Sequence, residues 1–574
     1  MSETLLALSP VDILIIATYF LAVLALGFYL KRYTITGEEF FMAGRRMTAW
    51  VAGLSFISAN LSSLETMGWS AMSYQYGMLG AHAYLIGAIP AILFLAVVMM
   101  PFYYICKTHS VPGYLKLRYG EGARSLAGIS FTMMTVLVCG VNMFAMAKVM
   151  QIILGWNIHF SIWVSSITVA VYVALGGLLS AVFNEVLQFF LIWLGSLLIP
   201  ILGLIEAGGW RKLIESINAR HPAENFTSLW ANLGSAADNP MGMHWIGMVF
   251  GLGVAVSFGY WCTDFLQVQR VMAAKSLRAA QNGTIIGAAL KMLVPLIVTL
   301  PGLIGLVILT DKMGITLVPE NVAQATGGHS YNEVLPLLMS RYLGPGLLGL
   351  GVTGMIAGFM SGMAGNVSAF ATVWTYDVYR PLLNRKAGDA HYVAMGRWCS
   401  IIGVFIAIAT AYAAMLFSNI LVYLQVLVMF FIVPLFGAVI LGMLWKRASP
   451  AGGFWGFLSG ILTSMSIFVY VHAFPNRFDA TALNPEHVQN IALSPLAKDM
   501  AVNMFGALWS LMVCMTVTAA VSLFTKPKPA AELQGLVYGL TRQPDEGPCQ
   551  WYQRPVLWAA VVAGVLVIVN IIFW

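Results

Sequence analysis

Charge is what this chain has least of. Asp, Glu, Lys and Arg together make 9% of its 574 residues, where a soluble domain carries about 25%. No stretch is polar enough for long enough to build a separate water-soluble core, which excludes a soluble enzyme or binding domain as the main body. Cysteine is sparse as well. Cys106, Cys139, Cys262, Cys399, Cys514 and Cys549 show neither CxxC nor metal-ligand spacing, so they read as structural thiols or bystanders. There is no Walker A motif and no pair of intramembrane carboxylates, which argues against an ATP-driven pump. The opening MSETLLALSP lacks the basic region and small-residue cleavage site of a signal peptide, so 11–30 reads as a first membrane helix. The formal charge of +7 is spread over short loops and marks no nucleic-acid patch.

Apolar residues, by contrast, make 59% of the chain, and the mean hydropathy is +0.82. Runs of that kind, bounded by charge, Gly or Pro, predict an all-α integral membrane protein with about fourteen transmembrane helices. They fall near 11–30, 48–74, 79–105, 125–154, 158–183, 186–206, 244–266, 281–309, 346–374, 398–417, 420–444, 452–473, 501–525 and 556–574. Placing the Lys31, Arg32, Arg45 and Arg46 loop in the cytoplasm puts most Lys and Arg on that side by alternation. Both termini are then extracytoplasmic. Lys526–Pro555, rich in Pro and charge, reads as a flexible connector.

One stretch breaks the rule that a span should be hydrocarbon. In Ser55–Trp69, SFISANLSSLETMGW, the centre holds Ser55, Ser58, Asn60, Ser62, Ser63, Glu65 and Thr66. Small polar residues there fit close helix packing. They also fit a helix that unwinds at mid-membrane to expose carbonyls and side-chain oxygens to a binding site. Asn60 and Glu65 favour the unwound helix, because buried ionisable groups are costly and usually functional. The seventh span closes with Asp264, Gln267 and Gln269 ahead of Arg270, and Lys291 lies deep in the eighth. A lysine so placed needs a counter-charge or a wet cavity. His82 and Lys148 have no partner motif beside them and read as satisfied or snorkelling side chains.

At these residues the chain resembles the sodium:solute symporter family, in particular the sodium/glucose and sodium/galactose cotransporters. The resemblance rests on EEFFMAGRRM (Glu38–Met47), GGLLSAVFNEVLQ (Gly176–Gln188), YWCTDFLQVQRVMAAKS (Tyr260–Ser276), GAALKMLVPLIVTLPG (Gly287–Gly302), SGMAGNVSAFATVWTYDVYR (Ser361–Arg380) and VYLQ (Val422–Gln425), in family order. It implies a LeuT-type core of two inverted five-helix repeats with discontinuous helices. The first repeat would take 48–206 and the second 244–444. An extra helix and loop at 1–47 would precede them, and three helices at 445–574 would follow.

It further implies Na⁺-coupled, secondary-active symport of a sugar or other small polar solute across the cell membrane. The family's cation ligands fall on the carbonyls of Ser58, Leu61 and Gly358 and the hydroxyl positions Ser361 and Gly362, with the family's acidic residue at Glu185. Gly362 lacks its hydroxyl, so Na⁺ binding should be weakened and Gly362→Ser should restore it. Asn60, Lys291 and Gln425 fall on sugar-binding positions. The pocket departs from the family elsewhere: Glu65 stands where the family has Gln, Tyr84 for Glu, Gly87 for Ser, Phe265 for Gln and Leu266 for the gate aromatic, while Gln267 is new. Lys291 is expected to pair with Glu65 or Asp264. Tyr84 reads either as packing or as a sugar-stacking ring. The rival readings are a sodium-independent carrier or sensor on the same scaffold, and uptake of an inositol, amino acid or carboxylate. A membrane-embedded enzyme would need convergent catalytic groups, and the sequence offers none.

Overall fold

Large apolar side chains such as Leu14, Phe28, Leu194, Trp398 and Ile568 face outward, while Ser55, Glu185, Gln269, Arg270 and Lys291 are buried. This is the reverse of a water-soluble protein and suits a bilayer, where lipid solvates the rim and polar groups must pair inside. In this computed structural model the described residues are 8–31, 36–222, 225–230, 234–417, 419–474, 477–479, 482–541, 544, 546–547 and 550–574. Arg32 and Cys549, used above, lie outside them, as do the side chains of Lys31 and of 168–177.

Among the described residues, eleven helices are long and apolar enough to cross a membrane. A twelfth crossing is the pair Gly247–Thr263 and Phe265–Met272, bent by 48° at Asp264. The other two expected spans differ in form. Region 48–74 is split into Ala49–Asn60 and Ser63–Tyr76, each too short to span alone. The break expected between 158–183 and 186–206 is missing, because helical bonding continues from Ile158 to Ala207 over 50 residues. Neither Gly nor Pro stands at 184–185 to interrupt it.

The eighth expected span is interrupted too. Leu277–Lys291 ends one turn before Pro295 opens Pro295–Met313. Proline has no N–H and collides with the carbonyl four residues back, here that of Lys291. Lys291 therefore sits at a helix end inside the protein. Segment 526–555 is tied down where it is described: Leu536 O accepts from Tyr114 Oη at 2.8 Å, and Glu546 caps the backbone N–H groups of Leu277 and Arg278 at 2.6 and 3.0 Å. It is not a free connector.

Candidate functional site

The site is built on the break at Leu61–Ser62. Leu61 leaves helical geometry at φ −72°, ψ 55°. Ser62 is extended and restarts the helix as its N-cap, accepting from Glu65 N at 3.3 Å. Hydroxyl residues favour this position because their oxygen replaces a missing backbone acceptor. The unwound turn frees carbonyls, and it projects Asn60 and Glu65 into the protein interior.

Those two side chains line a cavity of about 60 Å³ with Trp69, Tyr84, Ser257, Tyr260, Trp261, Lys291 and Gln425. Lys291 Nζ donates to Glu65 Oε1 at 2.6 Å and to Asn60 Oδ1. The same Glu65 oxygen accepts from Tyr84 Oη at 2.8 Å. The ammonium also lies 4.9 and 5.1 Å from the ring centroids of Tyr84 and Trp261, where ring quadrupoles attract a cation. Asn60 Nδ2 donates to Tyr260 Oη at 3.3 Å. Gln425 Oε1 is buried with no partner among the described residues, so the cavity keeps an acceptor that a ligand or water can satisfy. Three wide π-helical turns, Ala83–Ala88, Gly247–Phe258 and Val428–Ile432, flank this space. Such turns re-aim side chains and are common at functional sites.

Beside the break lies a second polar contact. Ser58 Oγ and Ser361 Oγ are 3.1 Å apart. The Leu61 carbonyl presses so close to Gly358 that a Cβ there would fall 2.8 Å from it. The two helices that carry the expected cation ligands thus touch at two points, Ser58 against Ser361 and Leu61 against Gly358. The consequence expected of Gly362 changes, because a Cβ built on it would stand 2.6 Å from Ser62 Cβ. A serine at 362 would displace the unwound turn before it could offer an oxygen, so Gly362→Ser is no simple restoration.

Other expected residues are placed differently. Asp264 does not reach Lys291; it caps the second break by accepting from Leu266 N at 2.9 Å. Gln267 is fully buried next to Tyr260 with neither amide atom well bonded, outside the cavity lining. Glu185 is engaged on both oxygens. Arg270 donates to Oε1 at 2.7 Å, and Ser55 Oγ and Arg270 Nε reach Oε2. In this arrangement Glu185 forms a buried ion pair with Arg270. Tyr84 is more than packing, since its hydroxyl holds Glu65.

The aromatic that meets Asn60 is Tyr260, not a residue at the Leu266 position. Ser257, Tyr260 and Trp261 also line the cavity; the YW of the quoted motif is the one sequence signal that points to any of them. Ser257 Oγ occupies the space that a Cβ on Gly87 would need, which returns a hydroxyl to that side of the pocket. Lys148 does not snorkel. It pairs with Glu320 at 2.9 Å and Glu333 at 3.2 Å. His82 is half-satisfied: Nε2 meets Leu229 O at 2.7 Å, while Nδ1 is buried with no partner among the described residues.

Comparison with known proteins adds the following. The model of the sodium:solute symporter family matches residues 40–460. The chain is 28% identical to the sodium/mannose cotransporter of Bos taurus, over 99% of this chain and 97% of that protein. It is 26% identical to sodium/glucose cotransporter 1 of Oryctolagus cuniculus, over 93% and 82%. It is 27% identical to the sodium/myo-inositol cotransporter of Homo sapiens, over 96% and 79%. Among solved structures, the substrate-bound outward-open state of a Na⁺-coupled sialic acid symporter matches with a TM-score of 0.72 at 19% identity. That match covers 90% of this chain and 99% of that one, and is a likeness of fold.

Proposed function

The chain belongs to the sodium:solute symporter family, and from that premise we propose that it carries a small, neutral, polyhydroxylated solute inward with Na⁺. As a member of that family it is a multi-pass secondary-active transporter and not an enzyme. The observation that carries the choice of solute is the Glu65–Lys291 contact of 2.6 Å. The two charges neutralise each other, so a charged solute would find no free counter-charge in the cavity. The hydroxyls of a neutral polyol would find the ammonium, the carboxylate, Asn60 and the unpaired Gln425 oxygen, with the Tyr84 and Trp261 faces for its apolar edges. Three relatives named for mannose, glucose and myo-inositol fit the same chemistry.

In this reading Na⁺ enters the gap between Ser58, Leu61, Gly358 and Ser361 and steadies the unwound turn. The turn also carries Asn60 and Glu65, so the ion favours the conformation that accepts solute. A cavity of about 60 Å³ holds only a few waters; solute enters as the two halves, 48–206 and 244–444, rock apart. The termini stay on the extracytoplasmic side of the cell membrane, as the loop charges indicate.

A second reading, a sodium-independent carrier, is favoured by the missing hydroxyl at Gly362. Uptake into proteoliposomes decides, with mannose, glucose, myo-inositol, sialic acid and an amino acid each offered with and without a Na⁺ gradient. Accumulation of a neutral polyol only under the gradient is expected. Equal uptake without the gradient supports the carrier, and accumulation of sialic acid or the amino acid alone contradicts the neutral cavity.

A further inference from the structure

We infer that Asn142 supplies, through Oδ1, the cation ligand that Gly362 lacks; the inference rests on Na⁺ binding beside the Leu61–Ser62 break. Asn142 lies on the Glu121–Leu154 helix and is 1% exposed. Its Nδ2 donates to Val138 O within the same helix at 3.2 Å. Its Oδ1 is enclosed and has no hydrogen-bond partner among the described residues. A buried amide oxygen left unpaired is costly, and native proteins rarely keep one without a use.

The direction of that oxygen is what matters. It stands 3.4 Å from the point where a Cβ on Gly362 would be, and Ser62 Oγ stands 3.5 Å from the same point. The space that a side chain at 362 would use is therefore bordered by oxygens from two other helices. Gly362 directly follows Ser361, whose hydroxyl faces Ser58. An amide oxygen is neutral, hard and short of donors, which is what a small hard cation accepts. With no side chain at 362, the space between these two oxygens stays open. The ion would then be held by a third helix, outside the pair that carries the four ligands already named.

The test is Na⁺ binding to the full-length protein in detergent without solute. It is read as the Na⁺-dependent rise in melting temperature at constant ionic strength, with choline as the replacing cation. Asn142→Ala should raise the half-saturating Na⁺ concentration roughly tenfold, as loss of a direct ligand does. Asn142→Asp, which keeps the oxygen and adds charge, should bind Na⁺ more tightly than the wild type. Ser361→Ala, a ligand on the reading above, should also weaken binding. A purely structural asparagine would lower the melting temperature without Na⁺ and leave the half-saturation point unmoved in both Asn142 variants, which overturns the inference. If Asn142→Ala does not fold, Asn142→Asp decides, since unchanged or weaker Na⁺ binding there also overturns it. Should Ser361→Ala leave the half-saturation point unmoved too, the sodium site itself has been misplaced, and the inference falls with it.

Discussion

Among the described residues two lysines are buried in spans, and Lys291 lines the cavity described above while Lys148 does not. Lys291 is 0% exposed and Lys148 is 7% exposed, and each is held by glutamate. The difference lies in what surrounds the ion pair. Around Lys291 the acceptors come from an unwound turn, two aromatic faces flank the ammonium, and Gln425 keeps an unused oxygen. Around Lys148 every partner is satisfied. Asn332 donates to Glu320 at 2.9 Å, and His329 and Ser330 contact Glu333 at 2.7 and 3.3 Å. A buried charge marks a binding site when its surroundings are left incomplete, and a structural brace when they are closed.

The largest effect expected is on the brace. Lys148→Met leaves Glu320 and Glu333 buried without their cation, which should cost about 3–5 kcal/mol of stability. Solute Kd should stay within about twofold, because no cavity-lining group moves. A melting scan and a binding isotherm on the same preparation check both halves. Lys291→Met also strips a buried glutamate, Glu65, of its cation, but what sets it apart is its effect on binding. Loss of a charged donor to solute costs roughly 1.5–3 kcal/mol, so Kd should rise at least about tenfold. If Lys148→Met abolishes binding and Lys291→Met does not, the cavity has been assigned to the wrong lysine.

Smaller effects sharpen the same contrast. Gln425→Leu removes an acceptor that no protein group uses, so solute affinity should fall by about fivefold, or ~1 kcal/mol, with the melting temperature unchanged or slightly raised. The smallest belongs to the brace. Glu333 beside it holds the His329 imidazolium protonated above the usual histidine range, against partial burial. The stabilisation is full below about pH 6.5, the unfolded value, and is lost as pH rises through the higher folded value. His329 is more than a third exposed, so solvent screening holds the effect to on the order of 0.5 kcal/mol. Melting curves across that range should lose their slope in His329→Gln.

Much of the site was legible because its residues violate the composition around them. Serines, Asn60 and Glu65 in an apolar run announced the unwound turn, and Lys291 announced a counter-charge. What the chain could not disclose is which partner each group meets. Lys148 and its glutamates are 172 and 185 residues apart, and Glu185 and Arg270 are 85 apart, so no local spacing links them. Asp264 looked like a partner for Lys291, yet its use is local, as a cap at the second break. Tyr84 looked like a lost ligand, yet its hydroxyl restores a contact through Glu65. The fold was legible at the level of spans. The unbroken run from Ile158 to Ala207 was not, because composition alone placed a boundary where the backbone keeps its hydrogen bonds.

On the proposed function, the sodium site and the solute cavity share one unwound turn, which couples them. Equilibrium binding of radiolabelled solute across a Na⁺ titration, and of Na⁺ across a solute titration, tests it most directly. Linkage requires each ligand to tighten the other by the same factor. We predict that factor to be at least about fivefold in the wild type, or ~1 kcal/mol of coupling. It should fall to about one in Ser361→Ala, while solute binding without Na⁺ stays unchanged. Solute affinity that is indifferent to Na⁺ in the wild type would contradict the account.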